Sequence, residues 1–356
     1  MVNGIKVAPA TLALLSQFIS YLPARAGTCG PQVRMSGTTA TVLPSHHDDT
    51  TSFQCVFDAL SGRPSTYVKL VAGEYTVGNL YINDFRGVLA GAGAAATTIT
   101  NGTVNVSEDF LFEDPSPEHP WPSLLSFRGG RFEVRDIAIE IRREAPVPAW
   151  TIPGFEGHFN AVAIAAFVLG KVDARFLRVA VSGQRDTTDL IFGYNLYNGI
   201  YFQSAATTAS GTFMVHDSKF ARLGSWVPLF GTADATVRVS ANDVQDAVAA
   251  FDFGPLLRTD ALYSDNRIRG SVFTSFVSDL DASSFALVGN NVRSENGIDV
   301  GMAFKHAASC SIVGNVLAVA NDPAIHLGPG TSHCLVAGNH GATVVDEGTN
   351  NFVVRR

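Results

Sequence analysis

The sequence predicts an all-β protein: a single-stranded right-handed parallel β-helix with about 24 residues in each coil and an N-terminal capping helix. Three observations predict this fold. A short apolar phrase closed by asparagine returns at a fixed period, the rest of each unit is strand-like, and an amphipathic segment precedes the first unit. A chain of 356 residues, 46% of them hydrophobic, can form the continuous core of such a solenoid.

The repeat is clearest in the C-terminal third of the chain. The phrases VRVSAN, ALYSDN, FALVGN, CSIVGN and CLVAGN end at Asn242, Asn266, Asn290, Asn315 and Asn339, at intervals of 24, 24, 25 and 24 residues. Asparagine tolerates a left-handed backbone in a tight turn, and its amide can bond to the neighbouring coil. We therefore expect an asparagine ladder at one turn of each coil, with Asp217, Asp136 and Val179 in the same position upstream.

A leucine-rich repeat is the alternative solenoid of this period, and the fragment Cys310, Ile312, Asn315 matches part of its consensus. The remaining half of each unit decides against it. These halves read AVAAFDFG, VFTSFVSD, NGIDVG and PAIHLG, which are short and rich in β-branched and aromatic residues. Every unit is therefore predicted to consist of strands stacked in parallel ladders.

The N-terminal region divides into two parts. Residues 1–26 have the pattern of a secretory signal peptide, with an apolar run over residues 12–19 and small residues before the expected cleavage site; a buried amphipathic helix is the alternative. Residues 27–62 form an N-terminal segment with the capping helix, in which Phe53, Val56, Phe57 and Leu60 share one face after Asp49 or Thr50 as the cap. Residues 63–356 form the β-helix domain.

Cysteine usage and charge bear on compartment and partners. Cys29 and Cys55 can form a bridge near the mature N-terminus, and we expect a secreted or periplasmic protein without a membrane span after signal cleavage. Cys310 and Cys334 should stack inward about 4.8 Å apart, within reach of a disulfide; because their position is otherwise apolar, we interpret them as buried free thiols. The net charge of −7 and the lack of a long basic run indicate that nucleic acid is not a partner.

The start of the coils carries a family resemblance. The run Asp48-Asp49-Thr50 with Phe53-Gln54, followed by VKLVAGEYTVGNL and LAGAGAAATTI, resembles the beginning of pectin-lyase-like right-handed β-helix proteins. Together with the ladder, the resemblance covers residues 41–354. It implies the fold but not the activity, because this superfamily includes polyuronate lyases, pectin hydrolases, alginate epimerases, phage tailspikes and non-catalytic surface proteins.

The resemblance also implies where a substrate lies, namely along the first sheet between loops that interrupt the coils. The strands of this sheet should be LLSFR, VAIAA, GIYFQ, PLFGT, AFDFG, SFVSD, GIDVG and AIHLG. Their outward residues should form one column, made of Ser126, Ala163 or Ile164, Tyr201, Leu229, Asp252, Val277, Asp299 and His326.

The candidate catalytic residues follow from the chemistry of a polyuronate lyase. The enzyme has to neutralise a carboxylate, remove the C5 proton and protonate the departing oxygen. We assign the proton transfers to Tyr201 and His158, the carboxylate to Arg185, and an orienting or metal-binding role to Asp252. Calcium held by carboxylates is the alternative to a cation side chain, and the sequence assigns neither a metal site nor another cofactor.

Substrate-binding candidates come from the same face and from its two longest interruptions. They are Arg128, Trp150, Tyr194, Tyr197 and Asp299. Flat aromatic surfaces suit sugar rings, although the same aromatic residues can simply pack the loops onto the sheet.

Missing motifs narrow the activity. The pectin hydrolases' set of Asn-Thr-Asp, Asp-Asp, Gly-His-Gly and Arg-Ile-Lys is not found, which disfavours hydrolysis by paired carboxylates. The alginate epimerases' Asp-Pro-His-Asp is also missing. The sequence thus predicts a carbohydrate-active protein, a lyase or related C5-proton-abstracting enzyme such as a uronate epimerase, whose partner is an acidic polysaccharide or oligosaccharide. The alternative is a non-catalytic glycan-binding or surface solenoid.

Overall fold

The computed structural model describes most of the expected coils. It covers residues 29–101, 123–142, 164–183, 198–203, 211–227, 229–230, 232–249, 252–253, 256–270, 274–278, 282–283, 285–294, 300–319 and 323–354. The proposed signal peptide, residues 1–26, lies outside these ranges. All structural statements below concern the described residues.

The strands form a parallel β-helix of three sheets, to which each complete coil contributes one strand apiece. The first sheet contains the N-terminal parts of β5 (Leu80–Ala90), β7 (Ser123–Arg135) and β9 (Ile164–Leu177), then β11 (Asn198–Gln203), β14 (Leu229–Phe230), β18 (Asp252–Phe253), β22 (Thr274–Ser278), β26 (Val300–Ala308), β29 (Ile325–Ser332) and β31 (Val344–Asp346). The second contains β2 (Thr39–Val42), β3 (Thr66–Leu70), the C-terminal parts of β5, β7 and β9, β12 (Gly211–His216), β16 (Ala235–Ser240), β20 (Asp260–Ser264), β24 (Phe285–Val288), β27 (Ser311–Val313), β30 (Leu335–Ala337) and β32 (Phe352–Val353).

The third sheet and the short strands complete the coils. The third sheet contains β4 (Gly73–Val77), β6 (Thr97–Asn101), β8 (Ala138–Glu140), β10 (Ala180–Ser182), β13 (Lys219–Ser225), β17 (Asp243–Ala249), β21 (Arg267–Gly270), β25 (Asn291–Ser294) and β28 (Val316–Ala318). The short strands β15 (Thr232–Ala233), β19 (Leu256–Leu257) and β23 (Ala282–Ser283) lie between the first and second sheets, and β1 (Val33–Ser36) pairs antiparallel with β2. The predicted parallel β-helix is confirmed by this pairing.

Two of the long strands turn from the first sheet into the second at left-handed glycines, β7 at Gly129 and Gly130 and β9 at Gly170, whereas β5 turns at Asp84, whose φ is 43°. In β7 the φ of Gly130 is 99°, and the pairing with β9 shifts register between Arg128 and Gly130. A Cβ at Gly130 would lie 2.4 Å from the carbonyl oxygen of Phe85 on the preceding coil. Only glycine therefore combines this backbone conformation with so close an approach of two coils.

The core runs continuously through the coils and is filled by inward side chains from all three sheets. Aromatic rings stack inside it, with Phe127 parallel to Phe132 at 4.2 Å between centroids and Phe202 parallel to Phe213 at 4.6 Å. Alternation along the strands separates these residues from outward polar ones, as β7 shows with buried Phe132 between the outward Arg131 and Glu133.

Helix α1 (Thr50–Leu60) packs against the first coils. Its N-cap residue is Asp49, but the side chain of Asp49 makes no capping hydrogen bond. The N–H of Thr50 instead donates to Oδ1 of Asp48 at 2.9 Å. The residues of the predicted apolar face, Phe53, Val56, Phe57 and Leu60, are all buried. Two of them meet core rings edge-on, at 5.4 Å between the centroids of Phe53 and Tyr75 and of Phe57 and Phe85.

The asparagine ladder exists; Asn242, Asn266, Asn290 and Asn315 are buried, and the last member, Asn339, is half-buried. From Asn266 onward, Oδ1 of each asparagine accepts hydrogen bonds from the backbone N–H and side-chain Nδ2 of the asparagine one coil earlier; for Asn290 accepting from Asn266 these measure 3.1 and 2.9 Å. Each Nδ2 also donates to a carbonyl oxygen on the preceding coil, as Asn290 does to Tyr263 of β20 at 3.0 Å. The same bonds join Asn242 to Asn266, Asn290 to Asn315 and Asn315 to Asn339.

The turn geometry corrects two expectations about this ladder. The left-handed residue is the one before each asparagine, for example Asp265 (φ 56°) before Asn266, and the asparagine supplies the hydrogen bonds. Asp217 (φ 50°) is likewise a left-handed turn residue and does not occupy the ladder position. That position belongs to Ser218, whose N–H donates to Oδ1 of Asn242 at 3.0 Å.

Both cysteine pairs are disulfides. Cys29 is joined to Cys55 of α1, which confirms the expected bridge and ties the N-terminal segment to the helix. Cys310 and Cys334 are also joined, with their Cα atoms 4.4 Å apart, so the interpretation as free thiols is wrong. Directly stacked coils bring equivalent Cβ atoms to the separation that a disulfide spans. This proximity decides the state of the two cysteines, although the position is otherwise apolar.

Replacing Asn290 by alanine should lower the free energy of unfolding by about 2 kcal/mol or more, because the buried N–H and Nδ2 groups of Asn266 lose their acceptor. The matched control is Asn291→Ala, because Oδ1 of Asn291 makes no hydrogen bond in the described structure. We expect the control to cost less than about 0.5 kcal/mol. Urea unfolding followed by circular dichroism measures both, and equal midpoints would contradict the importance of the ladder.

Thiol titration should distinguish two disulfides from one. All four cysteines are paired, so the urea-unfolded, unreduced protein should have no group that reacts with Ellman's reagent, and reduction should release four. Two reactive thiols before reduction would instead show that Cys310 and Cys334 are free.

Candidate functional site

The first sheet presents the predicted outward column in two described sections. In one, Ser126 pairs with Phe167, which pairs with Tyr201. In the other, the pairing runs from Asp252 through Val277 and Ala303 to His326 and ends at Val345. Most of the column is therefore confirmed as a line of backbone neighbours.

Three members of the predicted column are wrong. Phe167 takes the position expected for Ala163 or Ile164. Leu229 pairs with Phe202 and Phe253 and is buried, because a slip of one residue turns a strand side chain to the other face. Asp299 precedes the first residue of β26 and lies outside the described residues, and Ala303 stands between Val277 and His326.

Tyr201, the first catalytic candidate, is buried. Its side chain is 4% exposed and packs in a small apolar cluster with Ile164, Phe167 and Leu169, outside the main core. The ring centroids of Tyr201 and Phe167 are 5.5 Å apart. This part of the first sheet is thus an apolar packing surface and not an open cleft.

An exposed part of the first sheet lies on β5, two coils before Phe167 and three coils before Tyr201. Tyr81 on β5 is 39% exposed, and the guanidinium carbon of Arg128 lies 5.8 Å from the centre of its ring. The backbone of Tyr81 is held by Gln54 of α1, whose side chain accepts from its N–H at 3.0 Å and donates to its carbonyl oxygen at 2.8 Å. Arg128 is one of the binding residues that the sequence predicted, whereas Tyr81 is not.

The remaining candidates lie outside the described residues or are known only by backbone position. His158, Arg185, Trp150, Tyr194, Tyr197 and Asp299 belong to ranges that the structure does not describe. Asp252 is in β18 and pairs with Val277. At the C-terminal end of the same column, His326 lies beside Glu347, with 3.3 Å between Nε2 and the carboxylate oxygen.

A second surface, which the sequence did not indicate, is an open groove across the second sheet with a volume of about 980 Å³. We call it the second-sheet groove. Its charged lining residues are Asp84, Arg86, Arg131, Glu133, Lys171, Asp173 and Arg175. It crosses five successive coils, from Ser65 beside β3 to Thr212 in β12.

Ion pairs elsewhere on the surface tie neighbouring coils together and shift acid pKa values. The hydrogen bond from Arg178 lowers the pKa of Asp136, and that from Arg142 lowers the pKa of Glu74. Burial acts in the other direction at Asp49, whose pKa is raised mainly by desolvation. These groups lie outside both surfaces and serve the stacking of the coils and the N-cap.

The described part of the chain contains neither a metal-binding cluster nor a membrane-spanning helix. No group of three or more histidine, cysteine or acidic side chains there is arranged to hold a metal ion. Likewise, no described helix has the length and apolar character needed to cross a membrane.

The chain is similar to known proteins only at low sequence identity. No protein-family model and no curated protein matches the chain. Similar solved structures include the A-module of the mannuronan C-5 epimerase AlgE4 from Azotobacter vinelandii, with 15% identity over 86% of this chain and 91% of the other and a TM-score of 0.43. A family 28 exopolygalacturonase from Yersinia enterocolitica has 12% identity over 86% and 75% of the two chains and a TM-score of 0.45. These likenesses leave substrate and catalytic residues to be argued from the chain itself.

Two tyrosine-to-alanine variants should differ sharply in stability. Tyr201→Ala should cost about 3–5 kcal/mol, because it empties a buried ring position. Tyr81→Ala should cost less than about 1 kcal/mol, because Tyr81 is exposed and loses mainly its contact with Arg128. Urea unfolding of the two variants checks this, and a small loss for Tyr201→Ala would place its ring in an open site after all.

Proposed function

We propose that this protein is a secreted carbohydrate-active β-helix protein that acts on an acidic, uronate-containing polysaccharide along its first sheet. The observation that carries the proposal is the exposed Tyr81 ring with the Arg128 guanidinium beside it on the outward face. The two disulfides support an oxidising compartment and hence export.

The Tyr81–Arg128 pair provides the two contacts that a uronate needs. An aromatic ring offers a flat apolar surface to the C–H face of a sugar. A guanidinium offers planar donors to a carboxylate. Because Gln54 bonds to both the N–H and the carbonyl oxygen of Tyr81, the backbone that carries the ring is fixed before a ligand arrives.

The reaction that we propose is abstraction of the C5 proton. In a lyase, a base takes this proton, the C5–H electron pair forms the C4–C5 double bond, and the C4–O bond breaks as its oxygen takes up a proton. In an epimerase, a proton returns to C5 from the opposite side. His158 and Arg185 are our candidates for the base and for the carboxylate contact, and Asp252 is the candidate in the column.

Non-catalytic glycan binding is the second candidate function, and the burial of Tyr201 favours it. A phenol that is 4% exposed within an apolar cluster is poorly placed to exchange a proton with a polymer. Removing it from the reaction leaves the Tyr81–Arg128 pair as a binding platform without a described acid or base beside it.

The two functions are separated by incubating the mature protein with polygalacturonate, polymannuronate and polyguluronate, with and without calcium. A lyase should generate ultraviolet-absorbing unsaturated ends, and an epimerase should exchange the C5 hydrogen with deuterated water without such absorbance. Tyr81→Ala and Arg128→Ala should each weaken binding roughly tenfold, as expected when a stacking or charged contact is lost. Val288→Ala, an exposed apolar position on the second sheet, is the control that should bind like the wild type.

Binding without product or exchange would establish the non-catalytic function. Absence of both binding and turnover across the panel would refute the proposal as a whole.

A further inference from the structure

The second-sheet groove contains a row of like charges that the fold brings together. Arg86 and Arg131 are direct partners on adjacent coils, and both point outward. Directly opposed like charges destabilise a sheet. Each is offset by a carboxylate, Arg86 by the exposed Asp84 at 2.9 Å and Arg131 by the half-buried Asp173 at 3.0 Å. Exposed pairs of this kind contribute little to stability, so a ligand carboxylate can replace the protein's own at small cost.

Two further cations line the groove without such partners. Lys171 and Arg175 are exposed, and neither forms an ion pair with another described residue. The lining has four cations (Arg86, Arg131, Lys171, Arg175) against three carboxylates (Asp84, Glu133, Asp173), and Glu133 is already engaged by Arg135 at 3.2 Å. The groove is therefore locally positive on a chain whose net charge is −7.

The arrangement fits a polymer with a carboxylate on each unit better than a small anion or a nucleic acid. The cations recur on successive coils, whose spacing is about 4.8 Å. This spacing is similar to the advance of one sugar in an extended chain. Single-stranded nucleic acids need exposed aromatic rings for their bases, whereas the aromatic residue in the groove lining, Phe132, is buried.

We propose that the second-sheet groove is a separate binding site for acidic polysaccharide, in which Lys171 and Arg175 pair with uronate carboxylates and Arg86 and Arg131 exchange their internal partners for the ligand. The proposal rests on the proposed function for its class of polymer. It assigns a second contact line to the N-terminal coils, on a different sheet from the Tyr81–Arg128 pair.

The test is calorimetric titration of the full mature chain with a galacturonate hexamer at two salt concentrations. The variant Lys171→Ala/Arg175→Ala should lose roughly tenfold or more in affinity and should show a weaker salt dependence. The matched control is Lys219→Ala/Arg267→Ala, which removes the same charges from exposed positions on the third sheet. It should bind and unfold like the wild type.

Two further ligands test whether the groove recognises the carboxylates of a sugar chain. The methyl-esterified hexamer, which lacks the charges, should bind at least tenfold more weakly than the acid. A thymidine oligonucleotide should also bind more weakly; equal or tighter binding of either probe would overturn the proposal.

The outcome separates this inference from the proposed function. If Arg128→Ala weakens binding and the Lys171→Ala/Arg175→Ala variant does not, the first-sheet site stands and the groove site is refuted. Loss of affinity in the third-sheet control to the same extent would also refute the groove site. If the wild type binds no acidic oligosaccharide, both proposals fail.

Discussion

The buried asparagine ladder is the constraint that fixes the register of the C-terminal coils, from Ser218 to Asn339. A coil can slide against its neighbour only by breaking hydrogen bonds such as those from Asn266 to Asn290, which are made away from water. Fixed register matters because a shift of one residue exchanges the inner and outer faces of every strand. The left-handed residue before each asparagine closes the turn and leaves the amide free to join the next coil.

Register also explains how this fold can build an extended binding surface without a deep pocket. In the long strands β5, β7 and β9, one alignment places Tyr81 beside Ser126 on the first sheet and Arg86 beside Arg131 on the second. The same backbone pairing therefore orders both surfaces, and the glycine bend at Gly130 separates them. A ligand that repeats along its length can use such rows, whereas a compact ligand meets only one or two members of each.

The sequence predicted the features that repeat at constant spacing. The ladder from Asn242 to Asn339 was accessible because each of its units has 24 or 25 residues. In the first sheet the spacing varies, with 26 residues from Val277 to Ala303 and 23 from Ala303 to His326, and there the sequence predicted Asp299 in place of Ala303. Two errors came from local ambiguity. Leu229 and Phe230 form a two-residue strand in which either apolar residue could face inward, and Asp217 resembles the ladder asparagine although the adjacent Ser218 holds that position. The stacked cysteines were placed correctly, but their apolar surroundings were a poor guide to their oxidation state.

The second-sheet groove could not be predicted from the sequence, because insertions separate its charged residues along the chain. Arg131 follows Arg86 by 45 residues and Asp173 follows Arg131 by 42, so no search at the period of the C-terminal coils would align them. Their pairing is visible only when the strands are in place. Backbone pairing places these two arginines, which lie far apart in the chain, directly opposite each other on adjacent strands. Such a repulsion is unnecessary for folding, since neutral residues would serve the outer face equally well, and an anionic ligand gives it a function.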